Sequence, residues 1–358
     1  MPAGGSEARV AVSKTAGTQY AYGMVVVSVI AILATLAPPL LRQAPAPWSG
    51  IPVSPVLLAI LLGLCLSGAA RRHANWSPGL GLAAGPLLKL GVMLIGLRLS
   101  LGELGTLGVH AVPMVLGALA TGLGLALLLG RMLGIERKLT ALLAVGSAIC
   151  GASAIAATAP ALRPRPEQTA YALACVALFG LAATMLYPWL LQAWLNDSRG
   201  VGLVLGAAVH DTAQVTAAAI LHEQTFGAGE TLAAATVTKL LRNLSMMVVI
   251  PAIVWWGMRG ERHAEARTAF PLFVLGFVGF AALRSGGDVL LGAQDWWHQV
   301  IFIAGKASAF LFAMAMAAIG MQIRLAALRA LGPMPAVVAL LTALGMGAVA
   351  LGIVVVLG

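Results

Sequence analysis

Apolar runs of about 20 residues recur along the whole chain, and this is the length at which an α-helix crosses the hydrocarbon core of a bilayer. Only 9% of the residues are charged, whereas soluble domains carry roughly a quarter. Breaks rich in charge, proline or glycine separate eleven apolar segments, near residues 21–40, 51–69, 80–98, 109–130, 139–162, 168–195, 200–221, 230–257, 268–284, 297–320 and 333–357. The sequence therefore predicts an all-α polytopic membrane protein with about 9–11 transmembrane segments.

The residues before the first apolar segment are polar. Residues 1–20 are predicted to form a polar cytoplasmic tail, and residues 21–358 a single membrane transporter domain. The first apolar run is too long for the hydrophobic region of a cleaved signal peptide, and it lacks a clear small-x-small exit. We therefore expect it to stay in the protein as the first helix.

The net charge of +10 is distributed in small groups between the apolar runs. No basic stripe with interleaved aromatic residues is present, which argues against a nucleic-acid partner. If all eleven segments cross the membrane, the loops on the side of the N-terminus carry 13 Lys and Arg residues and the other loops carry 5. This asymmetry predicts a cytoplasmic N-terminus and an external C-terminus.

The fifth and seventh apolar segments show signs of interrupted helices. Gly146, Ser147, Gly151 and Ser153 lie in the centre of the fifth, LTALLAVGSAICGASAIAATAPAL. At a shift of 60 residues, VGSAICGASAIAATA of this segment aligns with LGAAVHDTAQVTAAA of the seventh. The following helices align at a shift of 63, and GLRLSLGELGTLG resembles GMQIRLAALRALG. These similarities indicate internal repeats, and in repeat-built transporters the substrate site lies at the repeat interface and uses interrupted helices.

The sequence leaves open whether the fifth and seventh segments cross the membrane or are re-entrant hairpins. If both are re-entrant, the basic residues of the loops divide 14 against 4 rather than 13 against 5. This difference favours hairpins only slightly. Hairpins would enter from opposite faces and make the repeat inverted, whereas two crossing segments would be parallel.

Ionisable groups inside apolar segments are the strongest indications of function, because charges survive in a membrane only where they face protein or water. Five are present: Lys89, Asp211, Lys239, Arg242 and Lys306. Four bases against one acid favour an anionic ligand. Lys239, Arg242 and Asn243 share one helical face, where two cations would repel unless an acid or an anionic substrate lies between them. Snorkelling is the alternative for each lysine and arginine.

Two polar clusters are candidate parts of a binding site. In GSAICGAS, the hydroxyls of Ser147 and Ser153, with amides freed at a half-helix N-terminus, are predicted to receive an anion. The alternative is a small-residue surface for helix packing. In AVHDTAQVT, we expect Asp211, Thr212 and Gln214 to bind a coupling cation or relay a proton, with His210 titrating near neutral pH. The alternative there is a structural ion pair with an intramembrane Lys or Arg.

Motifs of other functional classes are missing from the sequence. Cys65, Cys150 and Cys175 lie in apolar segments without metal-ligand spacing, so they are predicted to be small core residues and no metal site is expected. The sequence has no HExxH and no GxSxG, and GKAS around Lys306 lacks the first glycine of a phosphate loop. We therefore expect neither an enzyme nor a cofactor.

Four stretches carry a resemblance to a known family. AVGSAICGASAIAA, GAAVHDTAQVTAA, TKLLRNLSMMVVIPA and AMAMAAIGMQIRLAALRALGP resemble the YeiH-type family of bacterial inner-membrane proteins, whose name assigns them sulfate export. The resemblance implies a multi-pass transporter of the bacterial inner membrane, related to inverted-repeat secondary carriers of the bile-acid/sodium and antiporter type. The site residues that it implies are Gly146, Ser147, Cys150, Gly151, His210, Asp211, Gln214, Lys239 and Arg242.

Together these patterns predict a secondary transporter that exports a small oxyanion such as sulfate or a sulfonate. The anion is expected near Ser147 and Thr212 with Lys239 and Arg242 as counter-charges, while Asp211 and His210 couple transport to H⁺ or Na⁺. Asn243 and Lys306 are further candidates. The rival hypotheses are a cation-coupled channel or sensor with Asp211 as the selectivity group, and an organic-acid or amino-acid carrier. The expected partners are the anion and the lipid bilayer, and a homodimer is left open.

Overall fold

The computed structural model describes residues 5–42, 55–257, 272–292, 294–322 and 331–357. All regular structure in these ranges is helical, which confirms the predicted all-α class. Seven helical stretches in the described ranges are long and apolar enough to cross a membrane, and a bent helix pair with these properties makes an eighth. The predicted multi-pass architecture is therefore present. The described chain packs as two compact units.

The first unit holds the N-terminal helices and most of a later long helix. Its helices are α1 (Gly5–Arg42), α2 (Pro55–Cys65), α3 (Ser67–Arg72), α4 (Ser77–Leu82) and α5 (Leu88–Ile95), together with residues 302–322. Most of the predicted polar tail is helical, since residues 5–20 belong to α1, which continues to Arg42. Between α4 and α5, a π turn at Ala83–Leu87 contains Pro86, which has no N–H to donate to the regular helical pattern.

The second unit begins at Ile95, the last residue of α5, and contains the remaining helices. In chain order they are α6 (Leu101–Met132), α7 (Arg137–Ala148), α8 (Ala152–Leu162), α9 (Pro166–Trp194), α10 (Ser198–Ala208), α11 (Thr212–Phe226), α12 (Thr231–Leu244), α13 (Met246–Gly257), α14 (Phe273–Leu291), α15 (Asp295–Gln322) and α16 (Met334–Leu357). Helix α15 is shared with the first unit. Helices α12 and α13 form the bent pair, with an angle of 45° between them.

The fifth apolar segment is a hairpin of two short helices, α7 and α8, which we call hairpin 1. Arg165 and Gln168, which follow α8, both bind the carboxylate of Glu136, which precedes α7; the Gln168 Nε2–Glu136 Oε2 distance is 2.8 Å. The chain therefore enters and leaves at the same end. Each arm has 11 or 12 residues and is about 17 Å long, which is too short to cross roughly 30 Å of hydrocarbon.

The seventh apolar segment is a second hairpin, formed by α10 and α11, which we call hairpin 2. Thr231, at the start of α12, donates from Oγ1 to the carbonyl of Ser198 at 3.1 Å and contacts Nδ1 of His222 at 2.9 Å. Ser198 is the first residue of α10, and His222 lies in the last turns of α11. The start of one arm and the end of the other therefore lie side by side.

The two hairpins enter from opposite ends of α9. This helix begins at Pro166 beside the open end of hairpin 1, and near its other end Gln192 lies 2.8 Å from His222 of hairpin 2. Its 29 residues span about 43 Å, so the open ends of the hairpins lie on opposite faces of a bilayer. Both segments that the sequence left ambiguous are thus re-entrant, and the hairpins are inverted relative to each other.

The positions of the helix breaks in the two hairpins match the predicted repeat. Hairpin 1 breaks between Ala148 and Ala152, and hairpin 2 breaks between Ala208 and Thr212. Each pair of helix ends is separated by the shift of 60 residues found in the sequence. The repeat alignment therefore paired the two breaks correctly.

Cysteine labelling tests the re-entrant topology. In a background without native cysteines, we expect Leu133→Cys and Glu167→Cys, which flank hairpin 1, to react with a membrane-impermeant maleimide from one face of the membrane. Asn196→Cys and Gly229→Cys, which flank hairpin 2, should react from the other face. Labelling of Leu133→Cys and Glu167→Cys from opposite faces would mean that this segment crosses the membrane.

Candidate functional site

Lys239 and Arg242 lie where α12 passes the tips of both hairpins, and both side chains are 0% exposed. The ammonium of Lys239 donates to three backbone carbonyls. The Nζ–O distances are 2.8 Å to Ile149 and 3.0 Å to Val209, and His210 provides the third carbonyl. An ammonium has three N–H donors. All three are therefore used within the protein.

Arg242 makes a similar set of bonds one helical turn further along α12. In hairpin 1, its Nη2 and Nε donate to the carbonyls of Ser147 at 2.7 Å and Ala148 at 3.2 Å. In hairpin 2, its Nη1 donates to Gly206, Ala207 and Val209 at 3.0, 2.6 and 3.0 Å. A single guanidinium thus joins the tips of both hairpins.

These contacts follow from the chemistry of a helix C-terminus. The last four carbonyls of an α-helix have no partner within the helix, and together they carry about half a negative charge. Both α7 and α10 end deep in the protein, where water does not satisfy those carbonyls. Lys239 and Arg242 supply the missing donors and a charge of the right sign. Repeat-related carbonyls share the same cation: Ser147 and Ala207 bind Arg242, and Ile149 and Val209 bind Lys239.

Asp211 lies at the opposite kind of helix end. It caps α11, with its Oδ1 accepting from the Ala213 amide at 3.0 Å, while Gln214 accepts from the Asp211 amide at 3.2 Å. The amide of Ala152, at the start of α8, also interacts with the Asp211 carboxylate. One carboxylate therefore lies between two helix N-termini, each of which carries about half a positive charge.

Gly151 makes room for this carboxylate. Its φ of +65° is a conformation that side chains other than glycine rarely adopt, and a Cβ on it would lie 3.0 Å from Oδ2 of Asp211. In the repeat alignment Gly151 is the counterpart of Asp211 itself. Hairpin 1 therefore provides the space, and hairpin 2 provides the acid.

The alternative of a direct ion pair for Asp211 does not match the structure. Among the described residues, no contact within 4.0 Å joins its carboxylate to Lys239 or Arg242. The two cations bind helix C-termini, and the acid binds helix N-termini. Lys239 attracts Asp211 electrostatically, but without an ion-pair contact.

The hydroxyls of Ser147 and Ser153, which the sequence predicts to bind the anion, lie on opposite sides of the break in hairpin 1. Ser147 is in the last turn of α7, next to Gly146, so it lies at a C-terminus rather than at the N-terminus that the sequence suggested. The reason is that the helix breaks at residues 149–151 and not at Gly146. Ser153 is exposed in the first turn of α8. Thr212 is half-buried at the start of α11, and its Oγ1 accepts from Asn243 Nδ2 at 3.3 Å.

Three other candidates pack around the tips. The Cys150 thiol contacts Met246 Sδ at 3.4 Å, as a core residue would. Gln214 donates to the Ala177 carbonyl at 3.2 Å and fits against α9 only because residue 180 is glycine. His210 is 2% exposed, and its ring nitrogens make no well-formed hydrogen bond, although the Ala208 carbonyl interacts with the ring.

Lys306 and Lys89 belong to the first unit. Lys306 is exposed, and its ammonium is 4.5 Å from the centre of the Phe302 ring. Lys89 is also exposed. Within the second unit, the charges at the tips are those of the buried Lys239 and Arg242 and the half-buried Asp211. In the described part of the chain no group of three or more His, Cys, Asp or Glu side chains could hold a metal ion.

The matches to known proteins cover this region. The family described as "Conserved hypothetical protein 698" matches residues 22–339. The chain belongs to this family. Its curated relatives are named UPF0324 membrane proteins. The relative from Streptococcus pneumoniae R6 is 32% identical over 79% of this chain and 82% of its own length, and the one from Pseudomonas aeruginosa is 33% identical over 81% and 82%.

A third relative, from Ralstonia nicotianae, is 36% identical over 77% of this chain and 78% of its own length. The YeiH-type resemblance found in the motifs is thereby confirmed. The matched range of the family includes both hairpins and the buried cations. The geometry described above is thus that of a UPF0324 membrane protein.

Removing a buried cation should destabilise this UPF0324 protein strongly. Arg242→Gln leaves several hairpin carbonyls unsatisfied, and we expect a loss of about 3 kcal/mol in unfolding free energy. Thermal unfolding of the detergent-solubilised protein measures the effect. Lys306→Gln removes an exposed cation and should change stability by less than about 1 kcal/mol. Equal stability of the two variants would contradict the capping role.

Gly151→Ala should displace the Asp211 carboxylate. Gly227→Ala is the control, because Gly227 also has a positive φ of +70° but no atom lies within 4 Å of an added Cβ. Both substitutions introduce strain of about 1–3 kcal/mol. Only Gly151→Ala should in addition lose the stability that the capping carboxylate provides, because its Cβ would lie 3.0 Å from Oδ2 of Asp211. Equal melting temperatures of the two variants would show that the space beside Asp211 is unimportant.

Proposed function

We propose that the protein is a secondary transporter that exports a small oxyanion, sulfate or a sulfonate, across the bacterial inner membrane. The observation that carries the proposal is the meeting of two inverted hairpins, at which the N-termini of α8 and α11 lie on either side of Asp211. Interrupted helices in opposed repeats are the structural basis of substrate sites in many secondary transporters.

The anion would bind at the first turns of α8 and α11. Amides in the first turn of a helix have no partner within the helix and favour negative charge. Ser153 is exposed there and Thr212 is partly exposed, so both hydroxyls are accessible to a ligand. This position revises the one expected from sequence, because Ser153 replaces Ser147 as the hydroxyl of hairpin 1.

Lys239 and Arg242 would act on the anion through their field rather than by direct contact. Lys239 has no donor left, and most donors of Arg242 are used on carbonyls. The partial charges of the two C-termini and the two N-termini cancel, each being about half a unit. The two cations and Asp211 therefore leave a net charge of about +1 near the tips, which favours an anion.

Asp211 and His210 are the groups that we assign to coupling. Asp211 already occupies the positive ends at which the anion would bind, so its charge competes with the substrate for the same amides. Neutralising Asp211, by H⁺ or by Na⁺ binding, would strengthen anion binding. His210 lies next to it in the chain, and its ring nitrogens make no well-formed hydrogen bond.

The charge distribution supports an orientation for this transporter. With re-entrant hairpins, the basic residues in loops divide 14 against 4, and the richer side holds the N-terminus and the open end of hairpin 1. We therefore place that side in the cytoplasm. Hairpin 2 then opens to the outside. The eight spans given above are an even number, so the external C-terminus also requires the second apolar segment, residues 51–69, to cross as a ninth span.

Sulfate counterflow in reconstituted vesicles tests the anion site. Ser153→Ala and Thr212→Val each remove a hydroxyl from the proposed site, and loss of one hydrogen bond to a charged group should raise the KM for sulfate roughly tenfold. Ser67→Ala, in α3, is the control and should match the parent. Parental kinetics in both site variants would refute the proposed position of the anion.

Asp211→Asn tests coupling, because asparagine preserves helix capping but carries no charge. We expect counterflow to persist, while flux driven by a proton or sodium gradient is lost. The two assays are compared on the same vesicles. Gradient-driven flux at the parental rate would exclude Asp211 as the coupling group.

A further inference from the structure

A second polar cavity lies in the second unit at the open end of hairpin 2. Its volume is about 200 Å³, and it is formed by the turn between α5 and α6, the start of α10, the end of α11 and the start of α12. Arg199 lies at the start of α10, about 14 Å along that helix from the break at the hairpin tip. The cavity is therefore separate from the proposed anion site. Its charged lining residues are Arg98, Glu103, Arg199, Glu223 and Glu230.

Both arginines of this cavity retain donors for a ligand. Arg199 Nε is buried and has no hydrogen-bond partner, while its Nη2 lies 2.9 Å from Nδ1 of His110. Buried polar atoms normally have partners, so the orphaned N–H leaves the guanidinium of Arg199, a residue of the cavity lining, incompletely satisfied. Arg98 forms a long ion pair with Glu223, with 3.8 Å between Nη1 and Oε2, and its side chain is 43% exposed, so its guanidinium still has N–H donors that make no hydrogen bond.

The acidic side of the cavity also retains free acceptors. Glu223 uses Oε1 to accept from the Leu232 amide at 2.9 Å, which leaves Oε2 opposite Arg98. Glu230 precedes α12 and makes no capping hydrogen bond with its side chain. Carboxylate oxygens with unused acceptor capacity thus lie in the same cavity as unsatisfied guanidinium donors.

The balance of charge decides which class of ligand fits. Two arginines and three glutamates give the lining a formal charge of −1, which does not favour a simple anion. A simple cation would leave the arginine donors unsatisfied. A ligand with one negative and one positive group, and no net charge, can pair with both the arginines and the glutamates of the lining. The volume is below the usual range of roughly 300–1,000 Å³ for ligand pockets, so the ligand must have few heavy atoms.

We propose that this cavity binds a small zwitterion, an amino acid or a close analogue. Its acidic group binds Arg199 and Arg98, and its ammonium group binds Glu223 and Glu230. The ligand then connects the open end of hairpin 2 to the turn before α6. This proposal goes beyond the anion carrier described above, because both the position and the ligand class differ.

Thermal unfolding of the purified full chain in detergent tests the site with four probes. A ligand that binds only the folded protein raises its apparent melting temperature. Glycine and β-alanine are expected to give a saturable increase, whereas acetate and methylammonium, each carrying one sign only, are expected to give none. No increase with either zwitterion, or an equal increase with acetate, would overturn the proposal.

Matched arginine variants locate the effect. Arg199→Gln should weaken glycine binding roughly tenfold or more, whereas Arg131→Gln, an exposed arginine at the other end of α6, should bind as the parent does. If Arg199→Gln does not fold, Glu230→Gln at the exposed start of α12 serves instead, with the same expected weakening. Unchanged glycine binding in the folded variant would refute the site.

The double variant Ser153→Ala/Thr212→Val separates the two proposals. It should lose sulfate transport and keep the glycine-dependent increase in melting temperature. Loss of both would place the zwitterion at the hairpin tips and overturn this inference. Loss of the glycine effect only in Arg199→Gln would support it, whatever the outcome for sulfate.

Discussion

The carbonyl groups at the ends of two broken helices set the main requirement of this fold. Inside a membrane an unsatisfied backbone group costs several kcal/mol. The carbonyls at a helix break there therefore need hydrogen-bond donors from elsewhere in the protein. Here the donors are two side chains of one helix, α12. The use of one helix as the donor sets two further requirements near the hairpin tips. The cations must be fully buried, and both hairpins must reach the same two turns of α12.

The same requirement explains why the charges are unequal between the repeats. The repeat counterparts of Lys239 and Arg242 on α9 are Val176 and Phe179, at the shift of 63 residues. Helix α9 therefore contributes no cation, and α12 serves both hairpins. The acid is likewise present once, at Asp211, and its counterpart is Gly151. A symmetric backbone thus carries an asymmetric set of side chains, in which each repeat completes the other.

Sequence reasoning located the breaks and the important charges, because both depart from a strongly apolar background. The repeat alignment paired the two breaks correctly, although the first lies at residues 149–151 rather than at Gly146. The rarity of intramembrane charge singled out Lys239 and Arg242. Their partners could not be predicted, since a backbone carbonyl has no sequence signature. The re-entrant topology was also beyond the sequence. It depends on contacts such as Thr231 with Ser198, and these residues look like ordinary loop residues.

The arrangement at the tips has a consequence for the order in which the chain is made. Hairpin 1 is synthesised before the cations that satisfy it, since Lys239 binds a carbonyl 90 residues earlier in the sequence. At roughly 5–20 residues per second, this delay is on the order of 5–20 s. A newly made hairpin 1 must therefore wait outside the hydrocarbon, or be sheltered by the insertion machinery, until α12 emerges. Hairpin 1 can therefore enter the hydrocarbon stably only after α12 of the second repeat has been made.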